Sequence, residues 1–322
     1  MTIAITLVSP DPAAAEEAAR LVEGLMPIAS RTLLGPGAID LSLTTGDVAA
    51  LRHQMDHHLA NLPVDVCVQA QEGRRKRLLI ADMDSTIIGC ECLDELADFA
   101  GVKEAVSAIT ERAMRGELNF ESALRERVGM LKGLPVGALQ DCYDQRVRLN
   151  DGAKTLIGTM TAAGAKCLLV SGGFTFFTSR VAKAAGFAGD RANRLIEADG
   201  CLTGEVAEPI LGKEAKLAAL REESAALGLG LEAAIAIGDG ANDLAMIEAA
   251  GLGIAYRAKP VVAAQAHARI DHSDLTALLY FQGYPCADFR AEPTVAGWVS
   301  AALTPASARS PGGPDRWERH SR

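Results

Sequence analysis

Hydrophobic and polar positions alternate in two regimes along this chain. Ile3 to Val8 and Val64 to Val68 are short apolar runs with the length of strands. Between them, the Ala- and Glu-rich stretch Ala13 to Leu25 and the stretch Asp47 to Leu59 carry helical spacing, and one or two short strands fit around Arg31 to Leu43. That order, βαββαβ, predicts a small α+β sandwich of ferredoxin type. From Leu78 the pattern changes. Leu78 to Ala81, Lys166 to Val170 and Ala233 to Ile237 are apolar without alternation, and each ends in a polar or Gly-rich loop. Strands that are apolar on both sides belong to a parallel sheet covered by helices, so an α/β, Rossmann-like layer is expected here. Between the first two of these strands, about Cys92 to Leu149, runs a long helical pattern rich in Ala, Leu, Glu and Arg. It exceeds a simple crossover and predicts a helical cap inserted over the sheet edge.

Length agrees with two units, because 322 residues exceed one comfortable core. We expect an N-terminal α+β domain over 1–76, the α/β domain with its cap over 77–290, and a C-terminal extension over 291–322. The polar, basic stretch Gln71 to Arg77 reads as the linker. Ser307 to Arg322 is rich in Ser, Pro, Gly and charge with little to bury, so the extension is expected to be largely disordered. A net charge of −9 argues against nucleic acid or an anionic membrane as partner, and any anionic substrate then needs a local cation. The seven cysteines lack CxxC spacing and read as reduced core thiols; Cys90 and Cys92, which flank Glu91, are taken as packing residues. His53 and His57 have zinc-like i,i+4 spacing but no third ligand, and read as a solvated helix face. No leader pattern opens the chain and no apolar run is long enough to span a bilayer, so a cytoplasmic location is expected.

Chemistry gathers where the three strands end, the place at which open parallel sheets bind ligands. Asp82-Met83-Asp84-Ser85-Thr86 puts one carboxylate at a strand tip and another just beyond; alone, it reads equally well as a helix cap. Ser171-Gly172-Gly173 offers a hydroxyl and permissive backbone amides for phosphoryl oxygens. Gly238-Asp239-Gly240-Ala241-Asn242-Asp243 adds two further carboxylates. Converging acids repel unless a cation shares them, and hard oxygen donors suit Mg2+. Either Lys213 or Lys216 can supply the positive charge that a phosphoryl group needs.

Taken in order, the DxDxT, Ser-Gly-Gly, Lys and GDGxND segments resemble the four-motif pattern of the haloacid-dehalogenase-like (HAD) phosphohydrolases, over roughly Arg77 to Tyr284. Within that superfamily the stretch Glu111 to Phe120 is similar to the branch that hydrolyses O-phospho-L-serine in the last step of serine synthesis. The resemblance implies Asp82 as nucleophile and Asp84 as general acid and base. It implies Mg2+ on Asp82, Asp239 and the backbone carbonyl of Asp84, with Asp243 supporting the metal's water shell. Ser171, Gly172 and Lys216, preferred to Lys213 on family spacing, would hold phosphoryl oxygens, and Asn242 would orient phosphate or water. Glu91 would meet the substrate ammonium, Arg127 its carboxylate, and Met114 and Phe120 an apolar wall. In relatives an amino-acid-binding sandwich of the ACT type often precedes the catalytic part, and residues 1–70 are similar in element order. Another small phosphomonoester such as phosphohomoserine, transfer to an alcohol acceptor, and self-association stay open at this stage, whereas Asp84, two positions after the nucleophile, argues against a phospho-accepting switch, which needs a slow aspartyl-phosphate.

Overall fold

The structure, a computed structural model, describes residues 1–114 and 117–290. The N-terminal unit runs β1 (Ile3–Val8), α1 (Pro12–Leu25), β2 (Ser30–Gly35), β3 (Ala38–Leu43), α2 (Val48–His58) and β4 (Asp65–Ala70). Its antiparallel sheet has the order β2-β3-β1-β4, the expected sandwich. Local chemistry starts both helices. The Asp11 carboxylate accepts from the Ala13 amide with Pro12 at the first helical position, and the Asp47 carboxylate accepts from the Ala50 amide. Ile3, Ile5 and Leu7 alternate onto the face that α1 and α2 cover, through Ala15, Ala18, Val22, Leu51 and Met55.

The second unit holds β5 (Leu78–Ala81), then the cap helices α3 (Cys92–Phe99), α4 (Lys103–Met114), α5 (Phe120–Gly129) and α6 (Gly137–Arg146), then α7 (Ala153–Ala162). It continues with β6 (Lys166–Phe174), α8 (Thr175–Ala185), β7 (Gly189–Asn193) and a hairpin of β8 (Leu195–Ala198) and β9 (Cys201–Val206). After α9 (Lys213–Ala226) come β10 (Ala234–Gly238), α10 (Leu244–Ala249), β11 (Leu252–Tyr256), α11 (Pro260–Ala263), β12 (Ala268–Ile270) and α12 (Ala277–Phe281). The larger sheet is parallel, in the order β12-β11-β10-β5-β6-β7. Its strands read as continuous apolar runs because both faces are covered. Leu79, Ala81, Cys167, Leu169, Ile235 and Ile237 enter the core shared with α7, α8 and α12, while Leu78, Ile80, Leu168, Val170, Ala234 and Ala236 enter the one under α9 and α10. The cap leaves and rejoins the sheet through one antiparallel bridge, Ile88 with Leu149, flanked by Gly89 N to Arg148 O at 3.2 Å and Asn150 N to Ile87 O at 2.9 Å.

The stretch read as a linker is a packed joint. Helices cover only one face of the small sheet, and the other must be shielded too, so it lies against α12. Val8, Leu34, Ala38 and Cys67 join the larger unit's core. Gln69 Nε2 donates to the Phe281 carbonyl at 2.7 Å, and the Asp65 carboxylate accepts from the amides of Asp271, His272 and Ser273 at 2.7, 3.1 and 2.8 Å. Arg74 Nη1 reaches the buried Asp40 carboxylate at 2.9 Å, and Lys76 is itself buried, its Nζ donating to the Glu232 carbonyl at 2.8 Å. His53 and His57 are exposed, as expected of a solvated face. All seven cysteines are free; Cys67, Cys92, Cys142 and Cys167 are buried, whereas Cys286 is exposed and not a core thiol. The expectation for 291–322 lies outside the described residues, and no helix among the described residues is long and apolar enough to cross a membrane.

Candidate active site

The three strands singled out by their apolar runs are neighbours at the middle of the sheet, so their tips open side by side. Asp82 follows β5, tied down by Asp82 N to Ile237 O at 3.0 Å, and its carboxylate accepts from the Met83 amide at 2.7 Å. The chain then turns sharply through Ser85, whose φ of 54° lies in the left-handed region that non-glycine residues rarely visit. Hydrogen bonds hold that turn: Ile88 N to Met83 O at 3.0 Å, Ser85 N to Cys90 O at 3.3 Å, and Ser85 Oγ to Glu91 Oε1 at 2.6 Å. It carries Asp84 away from Asp82, so that Asp84 Oδ1 accepts from the Cys92 amide at 3.0 Å and Oδ2 from Ser171 Oγ at 3.3 Å.

Beneath the floor sits a charge cluster. Lys216 Nζ, on α9, lies 2.7 Å from Asp82 Oδ1 and 2.6 Å from Asp243 Oδ1, with all three side chains buried. Burial alone would discharge the ammonium, but Asp243 and Asp82 together hold it charged. Asp82, Asp239 and Asp243 each bring a carboxylate oxygen within 4.8 Å of the others. Three carboxylates against one ammonium leave an excess of negative charge, and the Asp239 carboxyl is pushed up to about 7 by burial, then by Asp82 and Glu91. The Asp84 carboxyl is pushed up to about 8, chiefly by burial, then by Glu91 and Asp82, with the Cys92 amide pulling the other way. Three crowded carboxylates make a hard-oxygen set that a divalent cation would complete.

Over these tips and under the cap lies a cavity of about 780 Å³. The sheet side contributes Asp82, Asp84, Ser171, Gly172, Asp239 and Asn242; the cap side contributes Glu91, Thr110, Phe120, Leu124 and Arg127. Phe120 opens α5, whose start is capped by the Asn119 side chain accepting from Ser122 N at 2.8 Å. The tip of its ring comes close to the Ser171-Gly172-Gly173 loop: a Cβ on Gly172 would stand 3.0 Å from Phe120 Cζ. Arg127 reaches in from the same helix and lines the cavity together with Glu91 and Thr110.

Among the residues picked from sequence, the structure brings together Asp82, Asp84, Glu91, Phe120, Arg127, Ser171, Gly172, Asp239 and Asn242 around one cavity, with Lys216 and Asp243 buried behind it. Lys213 lies at the rim, its side chain 69% exposed and beside Glu214, while Lys216 is 3% exposed. Met114 ends α4, and its side chain lies outside the described residues. Sequence reading missed Asn193. At the tip of β7, it donates to the carbonyls of Gly172 at 2.8 Å and Leu211 at 3.2 Å and accepts from Leu211 N at 2.7 Å, binding the phosphate loop to the approach to α9. It missed Thr86 as well, whose Oγ1 donates to Asp239 Oδ1 at 3.3 Å, and Lys259 at the cavity mouth. Asn193 and Lys259 sit in no recognisable spacing; Thr86 closes the DxDxT run, which marked its place but not its bond to Asp239.

Residues 79–248 match the family model described as haloacid dehalogenase-like hydrolase, and the chain belongs to that family. A phosphoserine phosphatase of Archaeoglobus fulgidus is 42% identical over 246 residues, 76% of this chain and 71% of that protein. Among solved structures, a HAD family hydrolase from Salmonella enterica serovar Typhi superposes with a TM-score of 0.76 at 30% identity, covering 87% of this chain and 98% of the other. A substrate-bound phosphoserine phosphatase superposes with a TM-score of 0.61 at 39% identity, over 64% of this chain and 98% of its own.

Proposed function

We infer that this chain hydrolyses O-phospho-L-serine to L-serine and inorganic phosphate, the last step of serine biosynthesis, in the cytoplasm. The observation that carries the reading is the pairing of two unlike walls on one cavity: an acid-rich strand-tip floor for phosphoryl transfer, and a cap bearing one anion, Glu91, and one cation, Arg127. An amino acid ester of phosphate presents the matching ammonium, carboxylate and phosphoryl groups. The 42% identical relative named a phosphoserine phosphatase supports the same substrate.

In the proposed cycle the Asp82 carboxylate attacks phosphorus and forms an aspartyl-phosphate while the serine oxygen departs. Asp84, which burial keeps protonated at neutral pH, gives its proton to that oxygen; as a carboxylate it then takes a proton from the water that attacks the aspartyl-phosphate. Ser171 Oγ, the Gly172 amide and Lys216 hold the phosphoryl oxygens; an ammonium has three donors, and two of those of Lys216 are taken by Asp82 and Asp243. Asn242 orients phosphate or water. Glu91 receives the ammonium and Arg127 the carboxylate, and Phe120 with Met114 forms the apolar wall. Asp82, Asp239 and Asp243 with the Asp84 backbone carbonyl suit Mg2+, which when bound would neutralise the crowded carboxylates and phosphoryl oxygens. The net charge of −9 gives no ground for proposing nucleic acid or an anionic membrane as partner.

The test is phosphate release from O-phospho-L-serine, phosphohomoserine, phosphothreonine and p-nitrophenyl phosphate, with and without Mg2+. A Mg2+-dependent preference for O-phospho-L-serine is expected. A preference for phosphohomoserine would retain the Asp82 chemistry and overturn the roles given to Glu91 and Arg127.

A further inference from the structure

Arginine carries five N–H donors on a long, rotamer-rich stem, so a bidentate reader of carboxylates works only if something sets the plane of its fork. Arg127 has two such restraints. Its Nε donates to the Ala123 carbonyl at 3.1 Å, one turn back on α5. Its Nη1 donates to Thr110 Oγ1 at 3.3 Å, on the neighbouring helix α4. The Thr110 hydroxyl spends its one hydrogen on the Val106 carbonyl at 3.1 Å, so its oxygen is left to accept. Thr110 and Arg127 both line the cavity, and with two N–H groups held by the cap the remaining donors of the fork are available to a ligand. A back-bonding threonine in a helix needs no functional explanation by itself. The second contact, made across helices to the residue assigned to the substrate carboxylate, does.

We propose that Thr110 is a positioning residue, orienting the Arg127 guanidinium so that the site selects phosphate esters that carry a carboxylate. This rests on the assignment of Arg127 to the substrate carboxylate, and it adds a selectivity determinant on a different cap helix. Asp94, on α3, contributes negative charge near the same guanidinium, so the fork is framed by three cap helices.

The experiment compares O-phospho-L-serine with phosphoethanolamine, which keeps the phosphate and ammonium but has no carboxylate. Thr110→Val should raise KM for O-phospho-L-serine about three- to tenfold, the size of one lost hydrogen bond, with kcat and phosphoethanolamine kinetics unchanged. Thr110→Ser, which keeps the hydroxyl, should restore KM, and Thr110→Val should add nothing in an Arg127→Ala background. Thr110→Ala makes the same comparison should valine unsettle α4. Equal losses on both substrates, an additive loss in the double variant, or no change would each overturn the proposal. Arg127→Ala alone judges the assignment beneath it: a loss confined to O-phospho-L-serine upholds that assignment, and equal losses on both substrates reject it whatever Thr110 does.

Discussion

The Asp84 carboxyl keeps its proton up to about pH 8 because it is buried beside Glu91 and Asp82, and this sets the direction of the pH response. A general acid works in its protonated form. For O-phospho-L-serine, whose alkoxide leaves poorly, kcat/KM should therefore fall as pH rises through about 8. The profile for p-nitrophenyl phosphate, whose leaving group needs no proton, should stay flatter over the same window. Asp82→Asn should lower turnover by about four orders of magnitude with an unchanged circular dichroism spectrum. Near-native rates in that variant would place the nucleophile elsewhere. At this scale the sequence was readable: Asp82, Asp84, Ser171, Asp239 and Asp243 stand in short runs whose spacing follows from one strand tip. Thr110 and Asn193 were not, because each acts through a partner 17 or more positions away, and a lone Thr or Asn has no distinguishing neighbours.

At the scale of elements, the contact that matters is α5 on the tip of β6. Phe120 can lie on the phosphate loop only because residue 172 has no Cβ. Gly172→Ala should lift Phe120 off the loop and raise KM for O-phospho-L-serine, and adding Phe120→Ala should recover part of that loss if crowding is the cause. Steady-state kinetics of the two single variants and the double variant measure it; additive losses would mean that the methyl disturbs the loop rather than the cap. The elements themselves were largely legible: β1 and β5 begin and end where the apolar runs do. The hairpin β8–β9 was not, since its strands are short and its burial irregular. It is held in place by partners from the cap, through Gly133 N to Leu202 O at 2.8 Å and Leu202 N to Leu134 O at 2.9 Å.

For the whole molecule, the acid cluster is a stability liability when no cation is bound. The folded Asp239 and Asp84 carboxyls titrate near 7 and 8, above the ~4 of an unfolded chain, so the folded state holds the extra protons. Stability of the metal-free protein should then fall as pH rises from about 4 to about 8, and Mg2+ should raise the thermal midpoint most at the alkaline end. Thermal melts with and without Mg2+ across that range check the sign, and Asp239→Asn should remove part of the response, leaving the share of Asp84 and Asp243. The same scale explains the joint between the two units. Arg74 and Lys76 looked like solvated linker residues, because a run of basic side chains without apolar neighbours carries no mark of burial. Lys76 is buried and Arg74 partly so because the second face of the small sheet has to be covered, and Asp40 and the Glu232 carbonyl await them on either side. By itself the sequence determined the two sheets, the inserted cap and the strand-tip chemistry, since periodicity and motif spacing are local properties of the chain. Only the tertiary structure decided which tips stand together, which lysine lies between the carboxylates, what orients Arg127 and how the small sheet seats on α12, because each of these depends on packing between residues far apart in the chain.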